Sequence, residues 1–187
     1  AFTGFPIWIP AEVPWLRETR YRQADAPLPT VHFLIRRGGA RLVDLVVQDA
    51  QADVKRACFF FGEQLKGLRR RRIPVDTIGD ARWCELFQTM HRIPALTDAA
   101  MLLVSDMVRH PERSVADLIQ QQGFGSEPDG WRDELCDLVA MRQPDHPSGT
   151  CEQRHRFLMG VAMRKLRGRV LARDVAQTLR DLLEKPA

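Results

Sequence analysis

The sequence predicts an α+β fold that is mostly α-helical, and three observations indicate this class. Prolines interrupt the first 30 residues, two β-branched runs flank a Gly-Gly pair within residues 31–47, and apolar residues recur at helical spacing from Asp53 onward. We therefore expect an N-terminal α+β segment over residues 1–76. An all-α helical bundle is expected to follow over residues 77–187.

The first 30 residues are expected to be irregular. Each proline removes a backbone donor and restricts φ, so a long helix is not expected here. The prolines are Pro6, Pro10, Pro14, Pro27 and Pro29. Aromatic side chains lie between them and are expected to pack, either onto a core of this chain or onto an upstream domain; they are Phe2, Phe5, Trp8 and Trp15.

A β-hairpin is predicted over residues 31–47. Residues 31–35 and 42–47 are rich in β-branched side chains and leucine, which favour strands. The Gly38-Gly39 pair between them can supply the positive φ angles of a tight turn. This hairpin is the β element of the predicted fold.

A helix is predicted over residues 53–72, and Ile73-Pro74 is expected to end it. Its last turns carry a secondary basic patch, which consists of Lys66, Arg69, Arg70, Arg71 and Arg72. Such a patch could contact nucleic acid, or its cations could simply suit the negative end of the helix dipole.

Further helices are expected after Pro74. Apolar stripes predict helices over residues 80–91 and 131–141 and a final helix marked by Val175, Leu179 and Leu182. Thr97 is expected to cap a helix that runs to about Arg109. Ser114 and Asp117 form a variant of the capping box, and they open a short helix that Gly123 is expected to close.

A basic helix over residues 154–169 is the most distinctive feature of the chain. Arg156, Gly160, Arg164 and Arg167 follow one another at steps of four, four and three, which places them on one helix face. Glycine weakens a helix interior by about 0.5–1 kcal/mol relative to alanine, so we expect something large to approach the backbone at Gly160. A phosphate chain would fit this face. The alternative is close packing of a neighbouring helix against Gly160.

Composition and charge narrow the classes of function. The 187 residues include 28 Lys and Arg against 24 Asp and Glu, a formal net charge of +4, and the positive charge is concentrated in residues 66–72 and 154–173. Basic clusters favour phosphates or acidic partners. No apolar run reaches the roughly 18 residues of a membrane span, and no signal peptide is recognisable, so no membrane association and a cytoplasmic location are expected.

Metal chemistry and autonomous catalysis are not expected. The five histidines and four cysteines lack ligand-like spacing, so neither a metal site nor a cofactor is predicted. The chain shows no nucleophile elbow, and the adjacent carboxylates Asp133 and Glu134 would lie about 100° apart on a helix rather than face a common substrate. We expect the cysteines to be small buried hydrophobic residues; they are Cys58, Cys84, Cys136 and Cys151.

Three stretches resemble a known family. Residues 157–168 (FLMGVAMRKLRG), followed by a leucine-rich helix, resemble the C-terminal tail of the B and E subunits of tRNA-dependent amidotransferases and of stand-alone YqeY-like proteins. Residues 110–124 (HPERSVADLIQQQGF) resemble the family's upstream phrase, and the likeness covers roughly residues 77–184. Residues 54–78 are more loosely similar to the piece that precedes the tail in an E-type subunit.

This resemblance implies a helical GatB/YqeY-like module that binds the body of a tRNA and has no catalytic residues of its own. In the family, the carbon–nitrogen ligase chemistry that uses glutamine as amido donor lies upstream of this tail. The resemblance therefore implies tRNA, and other amidotransferase subunits, as partners. Two departures are that Arg164 stands where lysine is more usual and that residues 1–50 have no counterpart in the YqeY-like proteins.

The candidate tRNA-binding residues combine the basic face with the resemblance. They are Arg156, Gly160, Arg164, Lys165, Arg167, Gly168 and Arg169. The cations are expected to contact phosphates, Gly160 to be the point of close approach, and Gly168 to form the turn that orients the flanking cations. The alternative function is a protein-interaction module whose basic face docks an acidic partner.

Overall fold

The computed structural model describes residues 13–141 and 150–184, and every regular element in these two ranges is helical. The mostly helical character predicted from the sequence is therefore confirmed, whereas the β component is wrong. The described chain divides into two compact units. Unit 1 comprises the described residues up to Pro74 together with Gly79–Phe87, and unit 2 comprises Val75–Ile78 and the described residues from Gln88 onward.

Unit 1 is built from short helices joined by tight turns. In chain order they are α1 (Pro14–Gln23), α2 (Leu28–Arg36), α3 (Ala40–Asp49), α4 (Val54–Phe59), α5 (Leu65–Arg70) and the first part of α6 (Asp80–Arg92). A π-helical turn, Phe60–Gln64, joins α4 to α5.

The predicted β-hairpin over residues 31–47 is wrong, because this stretch forms most of α2 and α3. Val31 and Leu34 are buried three residues apart on α2, as are Val43 and Val46 on α3. Spacing by three places both members of each pair on one face of a helix, whereas on a strand they would point to opposite faces. The burial pattern thus outweighs the strand preference of the β-branched residues.

The irregular structure predicted for the N-terminal segment is also wrong where the structure describes it. Pro14 is the first residue of α1, and Pro29 lies in the first turn of α2. Proline is tolerated at these positions because the first N–H groups of a helix have no intrahelical acceptor. Trp15 is 67% exposed and does not dock onto a core. The predictions for residues 1–12 lie outside the described residues.

The predicted helix over residues 53–72 is confirmed as one helical stretch that ends at Arg70. Asp53 caps it by accepting a hydrogen bond from the backbone N–H of Arg56 at 2.8 Å. The stretch contributes two rings to an aromatic cluster that consists of Phe60, Phe61, Trp83 and Phe87. All four rings are buried, so this cluster anchors the helix within unit 1.

A buried polar network centred on Asp44 ties α1 to α3. The Asp44 carboxylate accepts hydrogen bonds from Arg17 at 2.7 Å and from Arg20 and the Tyr21 hydroxyl at 2.5 Å each. The Tyr21 hydroxyl also lies 3.0 Å from the Ala40 carbonyl oxygen. Burial, followed by the hydrogen bond to Asp44, raises the pKa of Tyr21 well above its ordinary value. The tyrosine is therefore a structural donor.

Unit 2 contains the remaining helices and two 3₁₀ turns. These elements are a turn at Val75–Thr77, the end of α6, a turn at Pro94–Ala99, α7 (Ala100–Arg109), α8 (Val115–Gln122), α9 (Trp131–Met141), α10 (Cys151–Leu166) and α11 (Ala172–Glu184). Ser114 caps α8 in a full capping box with Asp117, and Gly123 ends that helix in the left-handed conformation, as predicted. Thr97 lies inside the second 3₁₀ turn, and Ala99 stands at the N-cap position of α7, which corrects the predicted start of that helix.

One apolar core of unit 2 lies among α9, α10 and α11. It is made of Trp131, Leu135, Val139, Leu158, Ala162, Met163, Leu166, Val170, Val175 and Leu179. On α10, Leu158, Ala162 and Leu166 follow at four-residue steps and turn one face into this core. Arg156, Gly160 and Arg164 of α10 lie outside this core and are exposed.

The prediction that all four cysteines are buried is confirmed for Cys58 alone. Cys84 is half-buried, and Cys136 and Cys151 are exposed. Burial raises the pKa of the Cys58 thiol to about 12, so this thiol stays protonated at neutral pH.

Candidate functional site

The basic helix predicted from the sequence is α10 together with the turn that follows it. Thr150 opens α10 in a capping box with Gln153, and the helix then runs unbroken to Leu166. Arg156, Gly160 and Arg164 are all exposed and lie at four-residue steps along the helix. These three residues therefore share one face, as the spacing predicts.

Arg167 does not continue that face. Its backbone is non-helical, with φ −57° and ψ 131°, because α10 ends one residue earlier. The sequence-based placement of Arg167 on the same helix face is thus corrected. Its exposed side chain extends instead from a turn that leads to α11.

Gly168 is the buried pivot of this turn. Its φ is +74°, and a Cβ added there would lie 2.8 Å from the Ala99 Cβ and 2.8 Å from Phe124 Cδ1. Its carbonyl oxygen accepts a hydrogen bond from the Gly125 N–H at 2.7 Å. No side chain larger than hydrogen fits without movement, so Gly168 fixes the direction in which its neighbours Arg167 and Arg169 leave the backbone.

A cleft of about 390 Å³ lies beside the turn, and four of the predicted cations line it. They are Arg164, Lys165, Arg167 and Arg169. The rest of the lining is Leu102 of α7, Gln122 at the end of α8, Phe124 after it, and Met163 of α10. The lining contains no carboxylate. This cleft, hereafter the cationic cleft, thus combines four cations from α10 and the turn after it with three apolar side chains, two of which come from α7 and from the segment after α8.

The cations of the cationic cleft differ in their pairing. Lys165 lies 3.6 Å from a carboxylate oxygen of Glu134. Within residues 13–141 and 150–184, no carboxylate forms an ion pair with Arg164, Arg167 or Arg169. Three guanidinium groups thus converge on the cleft without a compensating anion from the described chain.

Arg169 also packs against the end of α8. Its terminal nitrogen would lie 2.8 Å from a Cβ added at Gly123, the residue that ends α8. A cation at this position suits the negative end of the helix dipole. Arg169 is half-buried, so it is held more firmly than the exposed Arg164 and Arg167.

Arg156 and Gly160 lie on α10 but do not line the cationic cleft. Arg156 forms an exposed ion pair with Glu152 at 3.1 Å, one turn earlier. A Cβ added at Gly160 would meet no atom of the described chain within 4 Å. The alternative of a helix packed against Gly160 is therefore not found among the described residues.

The secondary basic patch lies in unit 1, and part of it is engaged in structure. The Lys66 ammonium donates a hydrogen bond to Glu63 Oε1 at 2.9 Å, and its nitrogen lies 4.3 Å from the centroid of the Phe33 ring. The bond from Lys66, and then the one from Thr30, lowers the pKa of Glu63. Arg69 and Arg70 lie in the last turn of α5, where cations suit the helix dipole; Arg71 and Arg72 follow it and are exposed.

Leu102, Gln122, Phe124 and Met163 were missed as site residues by sequence reasoning. Gln122 and Phe124 belong to residues 110–124, whose motif resembles the family and carries no separate signal of a binding site. Leu102 carries no such local signal, because only the structure shows that this leucine is 45% exposed on α7. Only the folded chain brings it beside residues 163–169.

No family model, curated protein or solved structure matches the chain. The likeness to the amidotransferase tail therefore depends on the sequence motifs alone. Among the described residues, no group of three or more His, Cys, Asp or Glu side chains is arranged to hold a metal ion. None of the described helices has the length and apolar character needed to cross a bilayer.

Proposed function

We propose that unit 2 binds structured RNA through the cationic cleft, and that tRNA, the partner implied by the family resemblance, is the RNA it binds. The observation that carries this proposal is the convergence of Arg164, Arg167 and Arg169 on one cleft with no paired carboxylate in the described chain. We propose no catalytic role for unit 2. Its link to amidotransferases rests on the family resemblance alone.

The physical reason is charge compensation. Like charges that share a small recess repel one another, and an anion placed between them relieves that repulsion. Guanidinium groups present planar donors that match phosphate oxygens in pairs, so arginine suits phosphate better than a simple point charge. Structured RNA is recognised mainly by shape, phosphates and 2′-hydroxyls, which a rigid turn with fixed cations can contact.

The test compares folded tRNA with a linear RNA of equal length at the same salt concentration. The wild-type protein is expected to bind folded tRNA more tightly, and Arg164→Gln and Arg167→Gln are each expected to weaken binding several-fold. Arg180→Gln is the matched control, because Arg180 is an exposed cation of α11 that does not line the cationic cleft. Equal losses in all three variants, or no preference for folded tRNA, would overturn the proposal.

A second candidate function is docking of an acidic protein partner, and one observation favours it. A groove of about 290 Å³ lies between α9 and α10, and its apolar lining includes Trp131, Leu138 and Val161. Met141 at its edge is 76% exposed, and Lys165 lines both this groove and the cationic cleft. Glu134 and Asp137 also line the groove, so a partner helix would place apolar residues in it and would have to turn its acidic residues toward Lys165. In the comparison above, a partner-docking surface would show no preference for folded tRNA.

A further inference from the structure

The cationic cleft has apolar lining residues that phosphate binding leaves without a role. Leu102 is 45% exposed, and Phe124 and Met163 also line the cleft. One side of the Phe124 ring packs against the Gly168 backbone, where the missing Cβ leaves room for it. The ring is thereby held in place while it remains half-buried at the cleft.

A fully paired RNA helix offers little to such a surface. Its exterior presents phosphates and sugars, and its bases are stacked inside, so apolar side chains find no flat partner. An unpaired nucleotide presents both a flat base and a phosphate on either side of it. Aromatic and arginine side chains bind such bases by stacking, whatever the base.

We propose that the cationic cleft holds one unpaired nucleotide of its RNA, an inference that rests on the proposed RNA-binding function. The base lies against Leu102 and Phe124, and its flanking phosphates contact Arg164 and Arg167. The volume of about 390 Å³ falls at the small end of the range for ligand pockets, which suits a single nucleotide.

Gln122 gives this cleft a fixed polar group. Its side-chain nitrogen donates a hydrogen bond to Asp106 at 2.9 Å, and Asp106 in turn accepts one from Arg109 at 3.1 Å. Because the amide nitrogen is occupied, the orientation of the carboxamide is set and its carbonyl oxygen remains as an acceptor. That oxygen can accept a hydrogen bond from a base amino group.

Charge favours a nucleotide over an acidic peptide as the occupant. One or two cations neutralise a single carboxylate, whereas this cleft gathers three guanidinium groups and one ammonium group. A phosphate chain that enters and leaves the cleft brings a negative charge on each side of the base, which matches the several cations of the lining. The apolar residues of the lining then receive the base.

The test uses one RNA hairpin in two forms, blunt and with a three-nucleotide unpaired extension. Wild-type protein is expected to bind the extended form about tenfold more tightly, because stacking one base on an aromatic side chain increases the affinity by about this factor. Leu102→Ser should weaken binding of the extended hairpin several-fold more than binding of the blunt hairpin. Phe157→Ser is the matched control, because Phe157 is 41% exposed on α10 and lies outside the cleft.

Phe124→Leu provides a second variant that keeps an apolar side chain against Gly168 but removes the flat ring, and it should lower the preference in the same way. Equal wild-type binding to the two hairpins would overturn this inference and leave the RNA-binding proposal standing. The inference would also be overturned if Leu102→Ser weakened binding of the two hairpins by the same factor. Failure of the wild-type protein to bind either hairpin would overturn both proposals.

Discussion

Replacing Gly168 with alanine is expected to destabilise unit 2 strongly, whereas the same change at Gly160 is expected to stabilise it. Both glycines belong to the basic segment, but their surroundings are opposite. Gly168 has a φ of +74° and close neighbours in Ala99 and Phe124, and Gly160 has open space around its missing Cβ. This pair therefore tests the geometry of the segment directly.

The magnitudes follow from two separate costs at Gly168. A left-handed backbone costs a residue with a Cβ about 1–2 kcal/mol. Contacts at 2.8 Å with Ala99 and Phe124 require the neighbours to shift, and such overpacking costs about 1–3 kcal/mol. Gly168→Ala should thus lower the free energy of unfolding by about 2–5 kcal/mol. Gly160→Ala should raise it by about 0.5–1 kcal/mol, since alanine is the better helix former.

Urea denaturation followed by circular dichroism measures both changes against the wild-type protein. The geometry described for the turn would be refuted if Gly168→Ala unfolded within about 0.5 kcal/mol of wild type, because a positive φ alone costs more than that. A destabilising Gly160→Ala would equally contradict the open surroundings of that residue. The two variants share the same chemical change, so each serves as the control for the other.

Three further predictions concern unit 1. Arg72→Gly should raise the free energy of unfolding by about 0.5–1 kcal/mol in urea denaturation, because Arg72 has a φ of +58° and glycine relieves that strain; a destabilised variant would contradict this. Tyr21→Phe should lower the free energy of unfolding by about 1–2 kcal/mol, since the hydrogen bond that the buried hydroxyl donates to Asp44 is lost; an unchanged midpoint would argue against the network. The lowered pKa of Glu63 contributes stability that is fully present above the ordinary glutamate pKa of 4.5 and is lost as pH falls through the lower pKa of the folded state. Glu63→Gln should therefore show a shallower loss of stability below pH 4.5 in a pH series of melting temperatures, and a slope equal to wild type would exclude this contribution.

The helices of the fold were predictable where local signals agree with one another. Ser114 and Gly123 mark the two ends of α8 by capping chemistry, which acts within a few residues and can be read from the sequence. The stretch from Val31 to Val46 carries conflicting signals, because its β-branched residues favour strands while its apolar spacing favours helices. Burial decided this conflict, and burial depends on the packing of the whole unit.

The cations of the site were also predictable, but the cleft was not. Arg164, Lys165, Arg167 and Arg169 cluster in the sequence, so their charge is visible without a structure. Leu102 and Phe124 reach the same cleft from distant parts of the chain, through the packing of α7 and of the residues after α8. Similarly, only the structure shows that Arg156 forms an ion pair with Glu152 and lies outside the cleft that the cations at the turn line.

The salt dependence of RNA binding tests the central claim most directly. Each phosphate contact contributes about 0.7–0.9 to the slope of log affinity against log salt concentration, so Arg164→Gln and Arg167→Gln should each reduce the magnitude of the tRNA-binding slope by nearly one. Arg180→Gln should leave it at the wild-type value. Identical slopes for the wild-type protein and for all three variants would contradict direct phosphate contact at the cationic cleft.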